Sequence, residues 1–130
     1  GFIMNRLQGA LLQEAFRLVE NGYASVEDID RGIAQGLALR WSFMGPFETI
    51  DLNAPNGVRD YVERYGNIYK RLAPDFAKPI DMNGDIINNI ENQRREILGK
   101  HQLKKRHAWR DRRLMALAVH KMQSDKKYGK

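Results

Sequence analysis

The stretch that decides the fold is "GFIMNRLQGALLQEAFRLVENGYASVEDID", residues 1–30. At about 100° per residue, Arg6, Gln13, Glu14, Arg17 and Glu20 fall on one polar arc. Met4, Leu7, Leu11, Leu12, Ala15, Leu18 and Val19 fill the rest of the wheel. This pattern predicts a helix to about Asn21, with Gly22 as its C-terminal stop. Ser25 then caps a second helix, and Asp28 three residues on completes a weak capping box. The link between the two is short, which favours an antiparallel hairpin. Asn5 breaks the wheel, because it projects among the apolar positions beside Leu12 and Phe16. A buried amide without partners costs about 1–3 kcal/mol. Either Asn5 is a core amide bonded to nearby backbone, or it orients a ligand or a reacting group.

Further along, helical spacing recurs and strand alternation does not. Val26, Ile29, Ile33 and Leu37 form the stripe of the second helix. Residues 36–57, "GLALRWSFMGPFETIDLNAPNG", are the least regular, with Pro46 suited to the first position of a short helix. Asn56 is expected to cap the next helix, whose stripe is Val58, Tyr61, Val62, Tyr65, Ile68 and Leu72. Residues 73–84 contain two prolines and read as a loop. Ile86, Ile87, Ile90, Ile97 and Leu98 mark another helix, with Gly99 ending or bending it. A last helix is expected over about 101–123, followed by a frayed tail at 124–130. The expected fold is all-α, a helical domain of about five to six helices.

The 130 residues suit one domain, and 42% hydrophobic content can supply a core. No cysteine is present, so disulfides and thiolate metal sites are excluded, in keeping with a reducing, cytoplasmic setting. No apolar run reaches the ~18 residues of a membrane span, and no secretion leader is visible. The net charge of +6 permits nucleic acid, anionic surfaces or phosphorylated ligands without choosing among them.

Three features could carry chemistry. Asn5 is the first. Arg40, beside Trp41, is the second: its planar fork suits a carboxylate or phosphate, although a surface or helix-end charge is the plainer reading. The third is "KKRHAWRDRR", 104–113, where basic residues surround Trp109. Phosphate contacts plus base stacking would make this a nucleic-acid surface. Helical spacing spreads those charges over more than one side, and Asp111 interrupts them, so a solvated face accounts for them better. His101, His107 and His120 form no catalytic or metal spacing, and no glycine-rich phosphate loop or GxSxG is present. The chain alone lacks a full active site, which points to a domain completing a site housed elsewhere.

The opening residues also carry a signature. "GFIMNRL", the Glu14-Ala15 pair and the "EDID" hairpin, followed by "GPFETIDL", resemble the start of the C-terminal domain of the NAD-dependent L-3-hydroxyacyl-CoA dehydrogenase family. "GLALRWSFMGPFETIDLNAPNGVRDYVERYG" and "HAWRDRRLMAL" are most similar to the lambda-crystallin and L-gulonate 3-dehydrogenase branch. The resemblance covers nearly all of 1–123, strongest in 1–66. It implies a 6-phosphogluconate-dehydrogenase-C-terminal-like helical domain that dimerises. It further implies that a separate N-terminal dinucleotide-binding domain holds NAD and the catalytic His–Glu pair. On that basis the chain starts at a domain boundary and is inactive in isolation. Asn5 matches the family asparagine near the reacting carbon. Arg40 matches a substrate-binding arginine of the gulonate-type branch. The implied substrate is a hydroxyacyl-CoA or a hydroxy acid such as L-gulonate.

Overall fold

The computed structural model describes residues 1–129, and every regular element among them is helical. The order is α1 (Phe2–Glu20), α2 (Val26–Gly32), a π-helical turn (Ile33–Leu37), α3 (Ala38–Trp41), α4 (Pro46–Leu52), α5 (Val58–Phe76), α6 (Asp85–Ile97), a 3-10 turn (Lys100–Gln102) and α7 (Leu103–Tyr128). The all-α expectation is met. The chain divides into two compact units, residues 1–93 and 94–130.

The first unit is built around the α1–α2 corner. Asn21 closes α1, and Gly22 turns the chain at φ +72°, a region that favours glycine. Ser25 Oγ accepts from the Asp28 N–H at 3.1 Å, and Asp28 Oδ2 accepts from the Ser25 N–H at 3.2 Å. This reciprocal pair is the capping box that the sequence spacing indicates. Val19, Val26 and Ile86 are buried together, with Phe16, Ile29 and Ile90 packed on them. Gln93 Oε1 also accepts from the Val26 N–H at 2.9 Å, so α6 helps to satisfy the start of α2.

Arg17 departs from the helical wheel, which puts it on the polar arc. It is buried, at 7% exposure. Its Nη2 donates to Lys78 O at 2.7 Å and to Phe76 O at 3.4 Å, and its Nη1 pairs with Glu14. The cation thus sits on carbonyls at the C-terminal end of α5, where the helix dipole favours positive charge.

Four boundaries differ from the sequence reading. The expected irregular stretch from Gly36 stays helical through Trp41, carried by the π-turn. Asn56 does not cap α5. Gly57 holds that position at φ +85°, and Asp51 Oδ1 accepts from the Val58 N–H at 2.8 Å. The helix continues through Pro74 to Phe76, where a loop is expected. Proline so near the helix end removes only one late N–H, and Arg17 satisfies carbonyls just beyond it. Finally, α7 runs on through Tyr128, where fraying is expected from 124, with the Gly129 N–H donating to Asp125 O at 3.0 Å. By contrast, Pro46 does start α4, with Thr49 Oγ1 donating to Gly45 O at 2.8 Å.

The second unit consists of the end of α6, the 3-10 turn and α7. No described residue of α7 is buried, although it carries Trp109, Leu114, Met115, Leu117 and Met122. No helix among the described residues is long and apolar enough to cross a membrane.

Candidate functional site

The two halves of α1 differ in burial. From Glu14 onward the helix packs into the first unit; before it, apart from half-buried Gly9, the residues are exposed. Phe2, Ile3, Met4 and Leu7 are 62–76% exposed. Asn5 lies within this stretch and is itself exposed. Its backbone N–H donates to Gly1 O at 3.0 Å, which is the first helical bond. The reading of Asn5 as a satisfied core amide therefore does not hold for this chain. Its neighbours on the wheel are apolar, yet no described residue of the first unit covers them. Contiguous exposed apolar surface of this kind marks an interaction surface.

Arg40 owes its place to the π-turn. Five residues at Ile33–Leu37 take the wider winding, and this advances everything beyond them relative to an α-helical register. Arg40 is exposed, and among the described residues no carboxylate pairs with it. Its carbonyl accepts from the Met44 N–H at 3.3 Å and the Phe43 N–H at 3.4 Å, closing α3. The side chain lines a surface cleft of about 350 Å³ with Asn53, Tyr61, Tyr65, Ile68 and Tyr69.

The tyrosines are the part of the site that the sequence reading missed. They stand at i, i+4 and i+8 of α5; the expected apolar stripe takes in Tyr61 and Tyr65 and leaves out Tyr69. The Tyr61 and Tyr69 hydroxyl oxygens are 2.6 Å apart, within hydrogen-bond distance. The Tyr61 and Tyr65 ring centroids are 4.9 Å apart with the planes tilted by 55°. The hydrogen bond to Tyr69 and burial raise the Tyr61 phenol above its ordinary pKa, while the nearby Arg40 charge acts in the opposite sense. The usable signal in the sequence is the Tyr-x3-Tyr-x3-Tyr spacing, which puts three phenols on one helical face.

Asn5 and Arg40 lie on different elements of the first unit and share no described contact. The basic segment 104–113 lies in the second unit. There Trp109 is flanked by Arg106, with Cζ 3.3 Å from the ring centroid, and by Arg113 at 5.8 Å. Arg110 pairs with Asp111 at 2.8 Å. These are contacts within one exposed helix: the guanidinium on its own ring, and charge on its own neighbour. No support for a nucleic-acid surface emerges.

Nothing among the described residues builds a dinucleotide cradle. Such a cradle needs a strand feeding a glycine-rich turn into a helix, and every regular element here is helical. No group of three or more His, Asp or Glu side chains gathers in a metal-holding arrangement among the described residues.

Residues 1–85 match the family model for "3-hydroxyacyl-CoA dehydrogenase, C-terminal domain". The lambda-crystallin homolog of Rattus norvegicus is 38% identical over 128 residues, covering 95% of this chain and 40% of that protein. The homolog of Bos taurus is 40% identical over 125 residues, covering 95% of this chain and 39% of that protein. An L-carnitine dehydrogenase of Pseudomonas syringae is 34% identical over 118 residues, covering 90% of this chain and 37% of that protein. The chain spans about two fifths of the length of these curated relatives. An all-helical chain with this opening signature, matched by that model over most of its length, belongs to the 3-hydroxyacyl-CoA dehydrogenase C-terminal domain family.

Proposed function

We propose that this chain is the substrate-side part of an NAD-dependent dehydrogenase that oxidises the 3-hydroxyl of a hydroxy acid or hydroxyacyl-CoA. The observation that carries the reading is Asn5: an uncharged amide, exposed on a helix whose surrounding apolar residues are uncovered. An amide in that setting suits a surface finished by another polypeptide segment. When covered, it donates and accepts hydrogen bonds without titrating, so it can hold a reacting oxygen through the pH range of the enzyme.

The residues of this chain do not fit NAD, so the cofactor is assigned to the portion of the longer relatives that this chain does not cover. Bound there, NAD would supply the hydride acceptor. The general base is assigned to the same portion. Asn5 is left to orient the alcohol. Arg40 offers its fork to a carboxylate, or to a phosphate in an acyl-CoA substrate. The relatives named as L-carnitine dehydrogenases support a small hydroxy acid as the substrate class. The uncovered apolar residues of α1 also suit a second copy of the protein, giving a homodimer in the cytoplasm.

The isolated chain should show no NAD-dependent oxidation of L-gulonate, L-carnitine or 3-hydroxybutyryl-CoA, while the protein extended to the length of its relatives should oxidise at least one. Turnover by the isolated chain would overturn the division of labour. Absence of turnover by the extended protein with all three would overturn the activity.

A further inference from the structure

The helix that begins at Val26 carries a packed face. Val26 is buried, Ile29 packs on the Val19–Val26–Ile86 cluster, and Ile33 is half-buried. Arg40 follows these residues by fourteen, eleven and seven positions. In an unbroken α-helix, at about 100° per residue, each separation brings Arg40 back to within about 40° of the earlier residue. A plain α-register would therefore turn the guanidinium onto the packed face, where an unpaired cation is strongly disfavoured. The observed backbone avoids this. The Ala38 N–H donates to Ile33 O, five residues back instead of four, so the turn Ile33–Leu37 absorbs one surplus residue. Every later residue is set back by about 100° and about 1.5 Å. Beyond the turn, Leu37 and Trp41 are 38% and 40% exposed, against 64% for Leu39. Trp41 takes the angular place that Arg40 would hold, and Arg40 is left exposed at the open cleft. Single π-turns inside helices are rare and are frequent at functional sites.

We propose that the π-turn Ile33–Leu37 is the positioning device for Arg40: by absorbing one residue it keeps the guanidinium off the packed face and presents it to the substrate carboxylate. The carboxylate's part in this rests on the dehydrogenase reading above; the register does not. The arrangement has an asymmetric consequence. Deleting Gln35, which is exposed, removes the surplus residue. The turn then closes as ordinary α-helix, and Arg40 keeps its direction. Inserting an alanine after Gln35 adds a second surplus residue. The turn has already absorbed one, so the insertion rotates Arg40 by about 100°, onto the Val26–Ile29–Ile33 face. A helix with no surplus residue would respond to deletion and insertion alike, by equal rotations of opposite sense.

The chain has no cysteine, so Arg40→Cys supplies a single thiol whose labelling rate reads the direction of position 40. Deletion of Gln35 should leave that rate within about twofold, and the alanine insertion should slow it about tenfold or more. Arg31→Cys, on α2 ahead of the turn, should label alike in all three backgrounds. Slowing by the deletion, or none by the insertion, overturns the proposal. Should the insertion not fold, Trp41→Asp and Arg40→Asp read the register in the intact helix: Trp41→Asp should lower the urea midpoint more, and the reverse order overturns the proposal. Kinetics use the protein extended to the length of its relatives, with L-gulonate and L-carnitine. The insertion should raise KM about tenfold with kcat little altered, match Arg40→Ala, and add nothing to it in the double variant. A merely structural defect would lower kcat and add to Arg40→Ala. An unaltered KM in either variant overturns the proposal. If neither acid is turned over but the labelling behaves as expected, the register device stands and the dehydrogenase reading falls.

Discussion

Replacing Arg17 by methionine should loosen the joint between the two helices that carry the candidate site, α1 with Asn5 and α5 with the tyrosines. The bond from Arg17 Nη2 to Lys78 O, at 2.7 Å, is charge-assisted and buried. Bonds of that kind contribute about 1.5–3 kcal/mol. The 3.4 Å contact to Phe76 O is long and adds little. The pair with Glu14 is partly open to water, since the Glu14 side chain is 29% exposed, so its share is below about 1 kcal/mol. Methionine keeps most of the hydrocarbon stem in place and removes the cost of burying the cation, which offsets part of the loss. The net local destabilisation is about 2–3 kcal/mol, or roughly 30- to 150-fold in an opening equilibrium. Amide hydrogen exchange reads this directly. The Ala77 N–H donates to Ala73 O at 3.2 Å and the Lys78 N–H to Asp75 O at 3.3 Å. Both amides should exchange faster by that factor in Arg17→Met, while amides at Ile50 and Leu52 change much less. Arg17→Lys should lie between, because an ammonium keeps the charge but not the fork. Exchange at Ala77 and Lys78 within about threefold of wild type would refute the buried clamp and return Arg17 to the solvent-facing arc.

Three other outcomes follow from local geometry. Gly57→Ala should destabilise by about 1–3 kcal/mol in urea melts, since the residue has φ +85° and an added β-carbon would lie 2.8 Å from Asp51 Oδ1; a neutral effect would contradict the turn. Ile86→Ala, at the centre of the small cluster with Val19 and Val26, should cost about 2–5 kcal/mol by the same assay. Acid should weaken the fold through Asp28, Asp60 and Asp75. Hydrogen bonds from Ser25, from Arg64 and from Lys78, respectively, are the largest influence holding each carboxyl below its ordinary value. A depressed carboxyl contributes stability above the unfolded pKa, about 3.9, and loses it as pH falls through the folded value. Ser25→Ala should therefore flatten the acid limb of a pH–stability curve, and an unaltered limb would count against the capping box.

What the sequence made legible was local. The stop at Gly22, the Ser25–Asp28 box and the Pro46 start all depend on residues within a few positions of one another, and all three stand. Arg17 was misread because a helical wheel sees only its own helix, while the carbonyls that bury it are some sixty residues away. Asn56 lost the cap to Gly57 for a related reason: the acceptor for the Val58 N–H comes from Asp51, on the preceding helix. Asn5 was visible as an oddity, but its wheel position could not reveal that the apolar arc around it lacks cover within the first unit. Tyr61 and Tyr65 were counted as apolar spacing, and Tyr69 was passed over. Their hydroxyls gained meaning only when Arg40, advanced by the π-turn, came to line the same cleft.

The most direct measurement is the steady-state kinetics of Asn5→Ala in the protein extended to the length of its relatives, with cofactor affinity measured alongside. If this amide holds the reacting oxygen, kcat should fall about 100- to 1,000-fold, the scale for removing one preorganised donor, with NAD binding unaltered. A kcat within about threefold of wild type would contradict the assignment of α1 to the reacting centre.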